Sequence, residues 1–509
     1  MTMLDKNTPI IIGVGQITEK EENSTKLSSP VDLIEKATRL AASDAGMDIA
    51  ELTNLDELVI VKGFREPTRN SPEALAKRIG ASKAKQWLTP NGGNAPQYLV
   101  NRYSESIFQG KHQLVLLAGA EAMDNSRRLH KAGVKNDWAE NSDFDPSFLY
   151  PDREMTSDHE KSQGIWPPAH VYPMFENALR KSYGNTIEQH QQVLGELFSA
   201  FSKVAATSEH AWYPIERSAA QISTATKDNR YVGWPYTKFM NAMNQINQSA
   251  AILMTSVGKA IEMGVPEDKW VFLHGCADTN EKWNVTERVD YSSSPAIRVL
   301  GEQVFRMANK SVNDMDFIDI YSCFPSAVQI ACDELGIAKD DDRDLTITGG
   351  LPFHGGAGNN YVMNSIAAMV EKLRINPGQF GLVTANGGYL TKHSAGIYST
   401  VPTAGPWQRV APESYQHEID DLPHPPYVEC PDGIAIIETY TVAFGRDNAP
   451  EEGLLIGRLG DGSDPLAPRF VAHTPKDMDL LVAMTKNCFI GKSGIVTSKD
   501  GINTFLPSA

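Results

Sequence analysis

Apolar and polar positions along this chain switch repeatedly between a strand pattern and a helix pattern. PIIIGVG (9–15) is a β-branched run that ends in glycines, and it predicts a buried strand. After Ser29-Pro30, VDLIEKATRLAASDAG carries its apolar and alanine positions at helical spacing. Pro30 suits the first turn and Gly46 suits the stop. ELVIVKG (57–63) predicts the next strand. LAKRIGA, QWLT, a glycine run with its helix, and QLVLLAGAEA (113–122) continue the alternation. Such an order predicts an α/β sheet covered by helices on both faces.

The second half repeats the pattern. KWVFLHG (269–275) and DFIDIYS (316–322) predict strands on either side of a helix, SSPAIRVLGEQVFRMAN (293–309), opened by Ser294-Pro295. A second glycine run and the strand FGLVTANGG (380–388) follow. The two glycine runs, GGNAPQYLVN (92–101) and GGAGNNYVMN (355–364), share Gly-Gly, Tyr and Asn at one offset, 355 − 92 = 263. Order, element type and glycine placement recur together, which predicts two similar α/β units.

Between the halves, residues 124–245 are rich in Trp, Tyr, His and Pro and hold one amphipathic helix, IEQHQQVLGELFSAFSKVAA. An insertion of this kind is expected to cover a site carried on a rigid scaffold. After about residue 400 comes a proline-rich connector. Residues 430–509 then alternate short β-branched runs with Gly-Asp and Asp-Gly turns, which predicts a small β-rich, barrel-like unit.

A length of 509 residues gives two to four domains, and 41% hydrophobic with 22% charged residues describes a globular chain. The net charge of −16 argues against a nucleic-acid surface. No apolar stretch approaches the roughly 20 residues of a membrane span. MTMLDKNTPIII lacks the layout of a signal peptide, and five cysteines without a CxxC pair suit a reducing cytoplasm. No GKS or GKT loop, HExxH or Cys/His cluster is present, so no metal site is expected. Gly13-Val14-Gly15 has Thr18 at the third fingerprint position, which speaks against dinucleotide binding.

A glycine pair ahead of a helix lets backbone approach a ligand, and the helix start offers unpaired N–H groups to negative charge. Two such starts on one cleft would serve as oxyanion holes. Close packing of helix on sheet explains the glycines equally well.

The chain resembles the thiolase superfamily. The resemblance rests on tandem α/β units, a helix-rich insertion, glycine-rich helix starts, GVGQ near the start, SPVDL, and NQSAAILMTS at 247–256. It is most similar to the sterol-carrier-protein-linked branch, and the tail resembles the additional C-terminal domain of thiolase-like protein type 1. The resemblance implies a duplicated five-layer αβαβα core with an inserted helical loop domain and a small β-rich C-terminal domain. The implied division is 1–265 (with 124–245 as the insertion), 266–420 and 430–509.

It also implies a coenzyme A thioester as substrate or ligand, no covalent cofactor, and a homodimer or monomer. Residue by residue the motifs depart from the family. The nucleophilic cysteine would fall at Gly92-Gly93-Asn94, yet the first cysteine of the chain is Cys276. The G-H-P triplet falls on Gly355-Gly356-Ala357, with His354 just before it, and C-x-G reads Ala385-Asn386-Gly387. H-D-C-F survives as Tyr321-Ser322-Cys323-Phe324, with a tyrosine in the histidine position.

Cys323, His354 and Tyr321 are therefore the catalytic candidates. Gly92, Gly93, Asn94, Gly355, Gly356 and Asn386 are expected to line the cleft, and Lys392 and His393 to meet coenzyme A. A helix start beside His354 would hold its imidazole neutral. His112 and His190 are expected on surfaces that tolerate substitution. Two functions stay open: an acyl-CoA acyltransferase without a cysteine nucleophile, and a non-catalytic acyl-CoA binder or partner-dependent subunit.

Overall fold

The computed structural model describes residues 4–20 and 27–508. In the first half the strands are β1 (Pro9–Thr18), β2 (Glu57–Val61), β3 (Lys85–Leu88) and β4 (Leu114–Ala122). The insertion contributes β5 (Tyr231–Gly233) and β6 (Tyr236–Thr237), and β7 (Asn247–Ser256) closes the half. The second half contains β8 (Val271–Asn280), β9 (Phe317–Asp319), β10 (Phe380–Gly387) and β11 (Lys392–Ser399). The tail adds β12 (Gly433–Phe444), β13 (Pro450–Leu459), β14 (Arg469–His473), β15 (Ser493–Lys499) and β16 (Ile502–Pro507).

The core sheet runs β3-β2-β4-β7-β1-β8-β11-β10-β9. Read outward from its middle, the first half has order β1-β7-β4-β2-β3 and the second β8-β11-β10-β9, so the duplication is visible as mirror-image strand order. Only Ile10↔Phe272 and Ile11↔Val271 join the halves across β1 and β8. The sheet folds there around two central helices, Ala95–Phe108 and Tyr361–Ile375, each of which touches strands of both halves. Helix Pro30–Asp44 covers the outer face of the first half and helix Pro295–Ala308 that of the second. The result is the αβαβα layering.

Local sequence explains the elements. Ser29 caps helix Pro30–Asp44 in a reciprocal capping box with Asp32, and Ser294 caps helix Pro295–Ala308. Gly13 and Gly15 sit under the Ala41 and Ala37 carbonyls of the first helix, where a Cβ would collide with backbone. The GxG of β1 is therefore a helix-packing device. DFIDIYS yields only the three-residue strand β9, because from Ile320 onward the chain leaves the sheet and turns Tyr321–Phe324 towards the centre of the molecule.

In the tail, β12 pairs with both β13 and β15, β13 with β14, β14 with β16, and β15 with β16. That closes a five-stranded barrel, with helix Met478–Lys486 between its third and fourth strands, the plan of an OB-type barrel. Two features tie the barrel to the rest. The insertion's β5–β6 hairpin extends its sheet through Gly233↔Ala443. The fully buried guanidinium of Arg469 pairs with Glu438 and donates to the Thr286 and Arg288 carbonyls of the core.

Candidate active site

The first glycine run turns into helix Ala95–Phe108 with the Gly92 carbonyl accepting from the Ala95 amide at 3.0 Å. Gly92 N–H is held by Asn359 Oδ1 at 3.0 Å. Asn359 belongs to the second glycine run and also donates to the Lys62 carbonyl at 2.9 Å, so the second run pins the first in place. The amides of Gly93 and Asn94 find no hydrogen-bond acceptor among the described residues. Two free N–H groups at the start of a 14-residue helix make a site suited to a developing negative oxygen.

Tyr321 comes to this same point. A Cβ on Gly93 would fall well inside contact with the Tyr321 hydroxyl and the Asn386 carbonyl. The space a side chain at 93 would occupy is thus taken by a phenol. Tyr321 is buried, and its hydroxyl has no hydrogen-bond partner among the described residues. Burial, with the neighbouring Cys323 and Tyr361 adding to it, raises its pKa well above the usual tyrosine value, so the group stays an O–H donor at neutral pH.

Cys323 lies alongside. The Asn386 side-chain amide donates to its Sγ at 3.9 Å and to the Tyr172 hydroxyl at 2.9 Å. Tyr172 in turn donates to the Gly388 carbonyl at 2.8 Å and stacks on Phe324 at 4.4 Å. Burial pushes the Cys323 thiol up to about 12, so it is protonated at neutral pH. Lys392 completes this side: its ammonium donates to the Asn91 carbonyl and lies against Gly92, and burial lowers its pKa. Asn94 reaches Ser394 Oγ at 3.4 Å.

The structure thus gathers Gly92, Gly93, Asn94, Tyr321, Cys323, Asn386 and Lys392. Gly356 lies against the end of the insertion instead, and Gly355 against Gln248 of β7. Gly356 N–H donates to Met243 O at 3.0 Å, and a Cβ there would meet Asn244 Oδ1 at 2.8 Å. Gly355 needs glycine for its φ of +117°.

His354 is set apart from the group. Tyr361 touches both its ring and that of Tyr321 edge-on, at 5.8 Å each. The imidazole lines a cavity of about 830 Å³ with Gln16, Lys203, His210 and Glu371, and none of the gathered residues lines it. Neither ring nitrogen makes a well-formed hydrogen bond, although the Thr348 backbone is close. Burial first, and then His210 and Lys20, lower its pKa to about 3; the neutral state comes from desolvation. His393, next to Lys392 on β11, points to the opposite side of the strand, where Nε2 meets the Leu390 carbonyl at 3.1 Å.

Two contributors lay outside the motifs. Tyr172 sits in the insertion's GIWPPAHVYPMF, where an aromatic cluster reads simply as core, and Asn359 shows in the sequence only as the Asn-Asn doublet of the second glycine run.

Comparison with known proteins agrees with this architecture. Residues 414–501 match the family model described as the thiolase-like protein type 1 additional C-terminal domain. A monomeric SCP2-thiolase-like protein type 1 from Mycobacterium smegmatis superposes with a TM-score of 0.85 at 37% identity, covering 99% of this chain and 100% of that one. This chain belongs to the thiolase-like protein type 1 family. The core alone is shared more widely. An acetyl-CoA acetyltransferase from Syntrophomonas wolfei gives a TM-score of 0.53 at 16% identity over 77% of this chain and 98% of its own. An acetyl-CoA acetyltransferase from Methanocaldococcus jannaschii is 22% identical over 169 residues, which is 33% of this chain and 41% of that protein.

Proposed function

We propose that this chain binds a coenzyme A thioester at the first glycine run and transfers its acyl group to an acceptor without an acyl-enzyme intermediate. The observation that carries this reading is the Tyr321 hydroxyl in the space where a nucleophile at position 93 would stand. The protonated phenol and the free amides of Gly93 and Asn94 would donate together to the thioester oxygen. With no nucleophile, the rate enhancement comes from holding thioester and acceptor together and from these fixed donors. Lys392 supplies positive charge beside the run, and the 124–245 insertion, anchored by Tyr172, serves as the lid. The partial similarity to an archaeal acetyl-CoA acetyltransferase supports the choice of ligand.

Calorimetry with coenzyme A, acetyl-CoA and longer acyl-CoA tests the ligand; absence of binding at millimolar concentration would overturn it. Radiolabelled acetyl-CoA should leave no stable acyl group on the protein, and a labelled peptide containing Cys323 would contradict the mechanism. A second reading, binding without turnover, is favoured by the protonation of the cleft: the Tyr321 phenol and the Cys323 thiol both titrate far above neutral pH. The two part on one result, appearance of free coenzyme A in the presence of acceptor, which only the first predicts.

A further inference from the structure

The other end of the first central helix carries a second arrangement of chemical groups. Helix Ala95–Phe108 closes with Gly110 in the left-handed conformation, at φ +69°, and the Lys111 amide returns to the Ser106 carbonyl at 3.0 Å. This reversal lays His112 back over the last turn, so that its Nδ1 faces Ser106 Oγ in a short hydrogen bond. The opposite ring nitrogen, Nε2, lies 3.0 Å from Glu57 Oε1. Glu57, the first residue of β2, is buried, and its second oxygen accepts the Tyr103 hydroxyl.

The donor–acceptor roles follow from the partners. An ionised carboxylate only accepts, so Nε2 of His112 carries the proton and donates to Glu57. Nδ1 is then left with its lone pair and accepts from the Ser106 hydroxyl. A serine hydroxyl on a bare imidazole nitrogen, with the far nitrogen held by a fixed carboxylate, is the layout of an activated nucleophile. Relative to the serine-protease template the ring is turned over, with Nδ1 towards serine.

The three residues line a cavity of about 410 Å³ together with Trp87, Arg102 and Leu149. The Trp87 indole N–H is buried and has no hydrogen-bond acceptor. The end of a helix also favours positive charge, which suits an imidazolium formed on His112. Ser106 lies twelve residues beyond Asn94 on the helix, roughly 18 Å at helical rise, so this cavity is separate from the Tyr321 cleft.

The geometry points to a second active site, a Ser106–His112–Glu57 acyl-hydrolase centre for small esters. The Ser106 Oγ–H proton passes to His112 Nδ1 as Oγ bonds to the ester carbonyl carbon and the carbonyl π pair moves onto its oxygen. The carbon–oxygen bond to the alcohol then breaks, and the alkoxide takes the proton from His112. Water, deprotonated by the same nitrogen, releases the acid and restores Ser106. No other reactant is needed.

The test is labelling of the full-length protein by a fluorophosphonate, with peptide mapping, beside hydrolysis of p-nitrophenyl acetate. One adduct is expected, on Ser106. His112→Ala should slow labelling and hydrolysis at least about 100-fold, the usual contribution of a general base. An unlabelled Ser106 in the native protein would overturn the assignment. So would His112→Ala protein that labels at the native rate, since that would make Ser106 an ordinary exposed hydroxyl.

Discussion

Gly93 has no room for a Cβ, because the Tyr321 hydroxyl and the Asn386 carbonyl already fill that space. Gly93→Ala should therefore destabilise the fold by about 1–3 kcal/mol, the usual cost of overpacking. Removing the phenol oxygen with Tyr321→Phe should recover part of that loss, so the double variant should be more stable than the sum of the singles. Urea unfolding measures all three, and strict additivity would mean that the phenol is not the obstacle. The missing cysteine at this point was legible in the sequence. That a tyrosine from the other half fills the gap was not, since the two positions are 228 residues apart (321 − 93) and only the folded core brings them together. His190 carries a similar lesson. Its place on an amphipathic helix reads as surface, yet it is buried with Nε2 at 2.5 Å from Glu176, which also accepts from Tyr236 and Gln329. His190→Ala should cost about 2–4 kcal/mol by leaving that buried carboxyl short of a partner. A loss below 0.5 kcal/mol in urea unfolding, the ordinary range for an exposed site, would contradict this.

At the level of elements, strand and helix order followed the periodicity closely. PIIIGVG, QLVLLAGAEA and FGLVTANGG became β1, β4 and β10, and both Ser-Pro signals opened the helices they announced. Periodicity did not carry the role of the second glycine run. Its symmetry with the first suggested a second oxyanion hole, whereas Asn359 instead buttresses Gly92, Gly356 packs on the insertion and Gly355 on Gln248 of β7. Nor did it carry the contact between barrel and insertion, because Gly233↔Ala443 joins short segments 210 residues apart (443 − 233). Arg469 makes the barrel's other junction, to the core carbonyls of Thr286 and Arg288. Arg469→Met should cost about 3–5 kcal/mol by breaking a buried pair and two backbone contacts at once, and the melting temperature should fall accordingly. An unchanged melting temperature would show that the barrel docks without it.

For the whole molecule, buried titratable groups set how stability depends on pH. Burial raises Glu121 to about 8 and Asp319 to about 6, so the folded state holds protons that the unfolded chain has released. Stability should therefore fall as pH rises, from about 4 to 6 through Asp319 and from about 4.5 to 8 through Glu121. His354 and His393, both lowered to about 3 by burial, act with the opposite sign: the unfolded chain gains their protons first, so stability falls as pH drops below about 6.5. Glu121→Gln should flatten the decline between pH 6 and 8 in urea midpoints, and an unaltered slope there would remove Glu121 from the account. The same architecture places Tyr321 of one half against the helix start of the other, and the function proposed here rests on that juxtaposition. Its most direct test is a crystal structure with a bound acyl-CoA. The account predicts an intact thioester whose oxygen lies within hydrogen-bond distance of the Tyr321 hydroxyl and the Gly93 and Asn94 amides. An acyl group attached to Cys323, or a coenzyme A bound elsewhere with this cleft empty, would contradict it.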